Sequence, residues 1–255
     1  MPFLVDLLDA KIMRLGMTML WPPAAKLSHT SPFIDQLEVT VAPLRQRTLE
    51  SPFPLQLRDG TLKTAHYARL LVEIYHYVKH STRLLALAAS RLGPDQRRLF
   101  QRFLEHAKEE SGHEQWALGD LRALGANQDD VIASAPLPST VALYAYQYYV
   151  IEHVNPIGLL GYIYALETLG SGSGAAMGNR VKTVLGVGDE AVTFLLGHGD
   201  SNVVHVEKLR ALIDKHARAA VEQTVIRDSA VATYAYYRQM LDDVWEDCGR
   251  PSAVV

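Results

Sequence analysis

Apolar residues recur every three or four positions through most of this chain, with polar residues between them. This spacing is typical of amphipathic helices, and the regular apolar–polar alternation of strands does not occur. The predicted helices span about 61–92, 94–124, 139–169, 175–185, 189–218 and 219–247. An amphipathic stretch at the N-terminus predicts one more helix, which ends before Pro22. The pattern therefore predicts an all-α protein of about seven helices.

Proline and glycine residues mark where these helices end. Four prolines interrupt residues 24–60, which predicts short helices and loops there. Gly93-Pro94 separates two long helices, and Gly125 ends the second of them. Asn155-Pro156 should kink the third long helix.

The organisation that follows from this pattern is a single domain over residues 1–255. Residues 1–60 are predicted to pack as an extension on a helical core of residues 61–247. Helices of about 30 residues exceed the usual globular length and suit a bundle that encloses a site in its interior.

Composition narrows the class of function. The 255 residues include 25 basic and 28 acidic side chains, and without a basic excess we expect no nucleic-acid binding. The single cysteine, Cys248, excludes an internal disulfide and a multi-cysteine zinc site, and a free thiol fits a reducing cytoplasm. Charged residues interrupt the apolar N-terminus, so we expect no signal peptide, no membrane span and a cytoplasmic location.

Glu110 and His113 form an E-x-x-H pair in the second long helix. Residues three apart lie on one side of a helix, and carboxylate bundles present a carboxylate and an imidazole to iron in this way. Ala117 and Leu121 continue the stripe with apolar side chains, which suggests that it turns inward. Glu109 is an alternative ligand, and a solvated charged face is the alternative interpretation of this polar stretch.

Two further helices carry polar residues among apolar neighbours. Glu167 lies in the apolar end of the third long helix, where an unpaired buried carboxylate would be costly; the alternative is that it reaches solvent. His198, Asn202 and His205 form one stripe on a later helix, and Asp200 should point away from it. Ordinary core or capping residues are the alternative for this stripe. Together, three helices offer the nitrogen and oxygen donors that iron binds.

The order of these motifs resembles the haem-oxygenase-like diiron oxidases, whose superfamily includes thiaminase II and pyrroloquinoline-quinone synthase. The similarity is carried by the segments HAKEESGHEQWALGDLRALG, IEHVNPIGLLGYIYALE and FLLGHGDSNVVHVEKL and covers about residues 65–215. It implies a seven-helix fold and an Fe(II)/O₂ site. The ligands that the resemblance implies are Glu110, His113, Glu167, His198 and His205.

Two ligand positions differ from the pattern of that family or stay open. Asn202 stands where the family has an aspartate and offers a neutral carbonyl oxygen. The family also takes a carboxylate from the first core helix, where Glu73, His76 and His80 share one stripe. Two Fe(II) ions with O₂ as co-substrate are expected, and one ion or a metal-free site are the alternatives. Thiaminase II activity needs a cysteine within the bundle, whereas Cys248 lies near the C-terminus.

Histidine and tyrosine side chains near these motifs are candidates for a substrate pocket. They are His76, His80, Tyr149, Tyr162 and Tyr164. Tyrosines at helical spacing are also common core residues with a polar tip. The polar character of this set favours an amino acid or amine as substrate.

The resemblance implies a non-haem iron oxidoreductase of biosynthesis that acts on a small metabolite. Amino acids, amines and fatty acids are the substrate classes, and N-oxygenation, desaturation with C–C cleavage and decarboxylation are the reactions. The alternatives are a cofactorless oxidase of the same fold and a non-catalytic helical binding protein whose metal site has decayed. A homodimer is the expected assembly, with neither nucleic acid nor membrane as partner.

Overall fold

The computed structural model describes residues 32–170, 174–199 and 202–249 of the chain. These residues form helices joined by turns, and no strand occurs among them. The all-α prediction is therefore confirmed. The predicted N-terminal helix lies outside the described residues.

Thirteen α-helices, named here in chain order, make up the described part of the chain. They are α1 (Pro32–Leu49), α2 (Pro52–Asp59), α3 (Thr64–Val78), α4 (Ser81–Arg91), α5 (Arg97–Glu109), α6 (His113–Ala123), α7 (Gln128–Ala133), α8 (Pro138–Tyr149), α9 (Leu159–Gly170), α10 (Gly174–Leu185), α11 (Thr193–Gly199), α12 (Asn202–His216) and α13 (Ala220–Gly249). The predicted helix over 175–185 is confirmed as α10.

Each of the three predicted long helices is broken near its middle, and only the interruption of the third was expected. A turn at Lys79-His80 separates α3 from α4. Gly112, with a φ of 92°, separates α5 from α6. A π-helical turn over Val150–Val154 and the extended residue Asn155 separate α8 from α9, where the sequence predicted a kink. Local breaks of this kind leave the apolar periodicity almost unchanged, and for this reason the periodicity alone did not reveal them.

Helix α13 is the long central element of the bundle. Helices α1, α3, α8 and α9 all pack against it, and α9 also packs against α12. The core formed in this way is continuous through the described residues and includes the fully buried Tyr67, Leu71 and Tyr234. Helix α6 packs against both α3 and α11, and Phe194 of α11 joins the core.

The close approach of α9 and α13 depends on a glycine. A Cβ placed at Gly161 would lie 2.8 Å from the backbone nitrogen of Ala230 and closer still to the backbone oxygen of Ile226. Backbone atoms cannot yield in the way that a flexible side chain can, so a larger residue would push the two helices apart.

None of the described helices is long and apolar enough to span a bilayer.

We predict that Gly161→Ala lowers the free energy of unfolding by about 1–3 kcal/mol, because the added methyl group meets the backbone of α13. Gly119→Ala is the matched control: a Cβ at Gly119, within α6, meets nothing within 4 Å. Alanine there should raise the free energy of unfolding by about 0.5–1 kcal/mol through helix propensity. Urea denaturation measures both values, and equal effects would contradict the prediction.

Candidate metal centre

Three side chains from separate helix ends meet in the interior of the bundle. One ligand atom each of Glu110, His113 and His198 lies within 4.8 Å of the others. All three residues are partly buried. A carboxylate oxygen and two imidazole nitrogens are donors that suit iron, zinc or manganese.

The turn at Gly112 places the first two of these residues. Glu110 follows the last residue of α5, and His113 begins α6. The expectation that both project from one regular helix is therefore wrong, because the E-x-x-H pair spans a junction of two helices. Glycine permits the φ of 92° that turns the chain there. The turn leaves Oε2 of Glu110 3.4 Å from Nδ1 of His113.

His198 is held in one orientation by its own helix. Its Nδ1 lies 2.8 Å from the carbonyl oxygen of Phe194. Because a carbonyl oxygen only accepts hydrogen bonds, Nδ1 donates and Nε2 keeps the lone pair that a metal would bind. The rings of His113 and His198 meet edge to face, with centroids 4.9 Å apart.

Asp120 anchors the helix that carries His198. It is fully buried on α6 and accepts hydrogen bonds from the backbone nitrogen and hydroxyl of Thr193, at 2.8 and 2.5 Å, and from the backbone nitrogen of Phe194, at 3.0 Å. Burial raises the pKa of Asp120, although these hydrogen bonds oppose the shift. The helix of His113 thereby fixes the start of the helix of His198.

A histidine that the sequence analysis did not single out faces the same carboxylate. Nε2 of His106 lies 3.7 Å from Oε1 of Glu110. His106 precedes Glu110 by one helical turn, and that spacing could have identified it. Glu109, the alternative ligand, points elsewhere: its carboxylate receives two hydrogen bonds from Arg102, at 3.0 and 2.9 Å, near the surface.

The electrostatics of the two interior carboxyl groups differ. Burial raises the pKa of Glu110, but the adjacent imidazoles of His106 and His113 outweigh it and leave this pKa well below the ordinary value. Burial raises the pKa of Glu167 to about 7, with a further contribution from the charge of Glu110 and an opposing one from His106. Within the described part of the chain, Glu167 has no ion pair.

These residues fit a bound metal ion. Nδ1 of His113 is buried without a hydrogen-bond partner among the described residues, because its geometry towards Glu110 is not that of a hydrogen bond. A cation would satisfy this nitrogen and would stabilise the charged form of Glu167. The donor set, imidazole and carboxylate, is one that iron(II) accepts.

A cavity of about 180 Å³ adjoins the centre. Its polar lining includes His106, Glu110, Glu167 and His198, and Tyr162 also borders it. Most of the remaining lining is apolar, including Leu70, Ile74, Val78, Leu84, Leu166 and Met177.

The other predicted pocket residues lie away from this cavity. His76 contacts the Ser134 hydroxyl at 2.9 Å, and His80 contacts the Tyr148 hydroxyl at 3.0 Å and stacks on Tyr144. Burial, aided by nearby cations, lowers the pKa of both histidines to about 4. Tyr149 is 56% exposed.

Tyr164 belongs to a separate buried network. Its hydroxyl donates to Glu38 at 2.6 Å and accepts from Arg210 at 2.8 Å.

Helix α3 contributes no carboxylate to the centre among the described residues. Glu73 is fully buried, pairs with Arg69 and accepts from the backbone nitrogen of Leu137 at 3.0 Å. Tyr77, one turn further along α3, lines the cavity instead.

Three predicted residues cannot be placed by their side chains. Asn202 and His205 belong to α12, but their side chains are outside the described structure. Asp200 lies outside the described residues.

The fold and the cluster together define a class: a haem-oxygenase-like helical bundle with a carboxylate–histidine centre. A family model described as "Iron-containing redox enzyme" matches residues 68–238. The chain therefore belongs to this family of iron-containing redox enzymes. A comparison with curated proteins found no match.

Solved structures show the same fold. A domain of unknown function with a heme oxygenase-like fold from Shewanella denitrificans is 28% identical, with a TM-score of 0.78, over 85% of this chain and 93% of that chain. A TenA homologue from Pseudomonas syringae is 14% identical, with a TM-score of 0.71, over 89% of this chain and 98% of that one. A TenA homologue from P. horikoshii is 17% identical, with a TM-score of 0.70, over 84% and 98%. The predicted fold and resemblance are confirmed.

We predict that Asp120→Ala lowers the free energy of unfolding by about 1–3 kcal/mol, because the buried backbone nitrogen of Phe194 loses its acceptor. Asp214→Ala, at an exposed position of α12, should change it by less than about 0.5 kcal/mol. Denaturant unfolding of the metal-free protein checks both. A loss no larger than that of the control would show that Asp120 does not anchor α11.

Proposed function

We propose that this protein is an iron-dependent, O₂-activating oxidase or oxygenase that acts on a small metabolite. Glu110, His113, Glu167 and His198 would hold iron(II), and Asn202 and His205 stay predicted ligands from the same stretch as His198. Two ions are the proposed content. Family membership supports iron and redox chemistry. The activation of O₂, the ligand set and the number of ions are what we propose.

The observation that carries the proposal is the convergence of Glu110, His113 and His198 within 4.8 Å in a half-buried position. Imidazole and carboxylate groups in an apolar interior are costly unless they are paired or bind a cation. Nδ1 of His113 is buried without a hydrogen-bond partner among the described residues. In His198, the hydrogen bond made by Nδ1 fixes the direction of the other ring nitrogen, Nε2. Such an arrangement is expected of ligands rather than of a solvated surface.

When bound, iron(II) supplies the electrons and the open coordination positions that O₂ activation requires. The protein contributes position and environment. The hydrogen bond from His198 to Phe194 fixes the imidazole orientation. The apolar side chains of the cavity exclude water from the substrate.

Tyr162 provides a polar group inside this cavity. Its hydroxyl is buried without a hydrogen-bond partner among the described residues. Burial raises the pKa of Tyr162, so the hydroxyl keeps its proton and can donate a hydrogen bond to a bound substrate.

The lining of the cavity supports one of the three substrate classes. His76, His80 and Tyr149, whose polarity favoured an amino acid or amine, are not among the lining residues. The lining is largely aliphatic and aromatic, and its carboxylate and imidazole groups are His106 and three residues of the proposed metal centre: Glu110, Glu167 and His198. An alkyl chain with a single polar end fits this distribution, so we propose a fatty acid or a similar aliphatic substrate.

We predict that the metal-free protein binds Fe(II) under anaerobic conditions and that His198→Ala weakens this binding at least about tenfold, because a ligand is lost. His153→Ala is the control, since His153 is exposed and contacts Tyr149. Metal analysis after equilibrium dialysis measures the affinity. Failure of the wild-type protein to bind Fe(II) would refute the proposed function.

We also predict that a medium-chain fatty acid raises the thermal unfolding midpoint, whereas a free amino acid at the same concentration does not. Ligand at one hundred times its Kd stabilises the native state by about 2.7 kcal/mol. Leu166→Trp should abolish this shift by filling the cavity, and Leu104→Trp, at an exposed position of α5, should retain it. A shift with the amino acid alone would favour the other substrate classes.

A further inference from the structure

A second cavity, of about 430 Å³, lies beside the first, between α5, α9 and α12. Its rim is charged and open to solvent: the side chains of Glu105 and Glu109 are 67% and 49% exposed, and Lys208 is also exposed. Its deeper lining includes the buried Leu160 and Leu209. The second cavity therefore leads from bulk water towards the interior of the bundle.

The two cavities meet at three residues. His106, Ile163 and Glu167 line both cavities and so form the wall between them. Glu167 is one of the ligands in the proposed function. His106 faces Glu110, with 3.7 Å between Nε2 of the histidine and Oε1 of the carboxylate. The inner end of the second cavity therefore lies directly beside the proposed metal centre.

The two cavities differ in polarity away from the centre. Aliphatic and aromatic side chains, such as Leu70 and Ile74, make up most of the first cavity. Charged side chains, including Arg102, Glu105 and Lys208, line the second. A hydrated cation loses hydration free energy in apolar surroundings, and charged or polar side chains along its path offset that loss. The second cavity thus offers a cation the less costly way to the centre.

We propose that the second cavity is the route by which metal ions enter and leave the centre, separate from the first cavity, which holds the substrate. This inference rests on the proposed function, which places iron at Glu110, His113, Glu167 and His198. A separate route allows the metal to exchange while the apolar cavity stays closed to bulk water. Ile163, the apolar member of the wall, is then the barrier to passage.

Exchange kinetics distinguish a route from a ligand. An ion enters and leaves by the same path, so an obstacle in that path slows both rates by the same factor and leaves the Kd unchanged. Loss of a ligand instead raises the Kd, mainly through faster dissociation. Co(II) is the probe for the experiment. Its visible absorption on binding gives the entry rate, and its transfer to a coloured chelator gives the exit rate.

Leu212→Trp places a larger side chain in the second cavity, because Leu212 lines that cavity and not the first. The variant should slow entry and exit of Co(II) at least about tenfold with an unchanged Kd. It should keep the thermal shift that a fatty acid produces. Leu166→Trp is the matched control, since Leu166 lines only the first cavity. That variant should lose the thermal shift and exchange Co(II) at the wild-type rates.

Lys208→Glu tests the charged rim without filling the cavity. The added negative charge attracts a cation, so Co(II) should enter about two- to tenfold faster than in the wild type at low ionic strength. The difference should vanish in about 1 M salt, where charges are screened beyond about 3 Å. Lys63→Glu makes the same change of charge at an exposed position that lines neither cavity. Its entry rate should stay close to that of the wild type.

The outcomes separate this inference from the proposed function. Wild-type entry and exit rates in Leu212→Trp, or a raised Kd in that variant, would overturn the proposed route while the proposed function stands. If Leu212→Trp does not fold, equal entry rates of Lys208→Glu and Lys63→Glu at low ionic strength overturn it instead. If the wild type binds neither Co(II) nor Fe(II), both proposals fail. Thermal unfolding of the metal-free variants verifies that each has folded.

Discussion

Burial of carboxylates and imidazoles in an apolar bundle is the constraint on which the rest of this structure depends. Each such group costs free energy unless a partner compensates it. Glu110 is compensated by two histidines, His106 and His113, and Asp120 by the start of α11. Glu167 has no ion pair among the described residues, and its pKa is raised to about 7. The imbalance at Glu167 is what a bound cation would remove.

The site is built on helix ends rather than on helix faces. Glu110 and His113 flank the turn at Gly112, and His198 lies on the short helix α11. Helix termini are normally the least constrained parts of a bundle. Here Asp120 holds the beginning of α11, and a Cβ at Gly197 would lie 2.7 Å from the ring of Trp116, so a larger residue there would have to displace that ring. Rigid support of this kind is what a metal centre requires.

Parts of the site could be predicted from residue spacing, and parts could not. Glu110, His113 and His198 stood out as polar residues beside apolar stripes, and the structure brings their donor atoms together. The position of His106 beside Glu110 could not be predicted in this way, because the segment HAKEESGHE is polar throughout and His106 does not differ from its neighbours in polarity. The prediction that His76, His80, Tyr149 and Tyr164 line the pocket was wrong for a related reason. Helical spacing places His80 on a face, but it does not say which neighbour that face meets.

The sequence by itself determined the all-α class, the helix end at Gly125, the irregularity at Asn155 and the types of donor available, because these depend on local periodicity and backbone freedom. Only the tertiary structure decided that Glu110 faces the interior while Glu109 pairs with Arg102. Adjacent residues at the end of a helix point in different directions, and the turn that follows sets which one faces the core. The packing of distant helices, which no local pattern encodes, then places the donors around a common point.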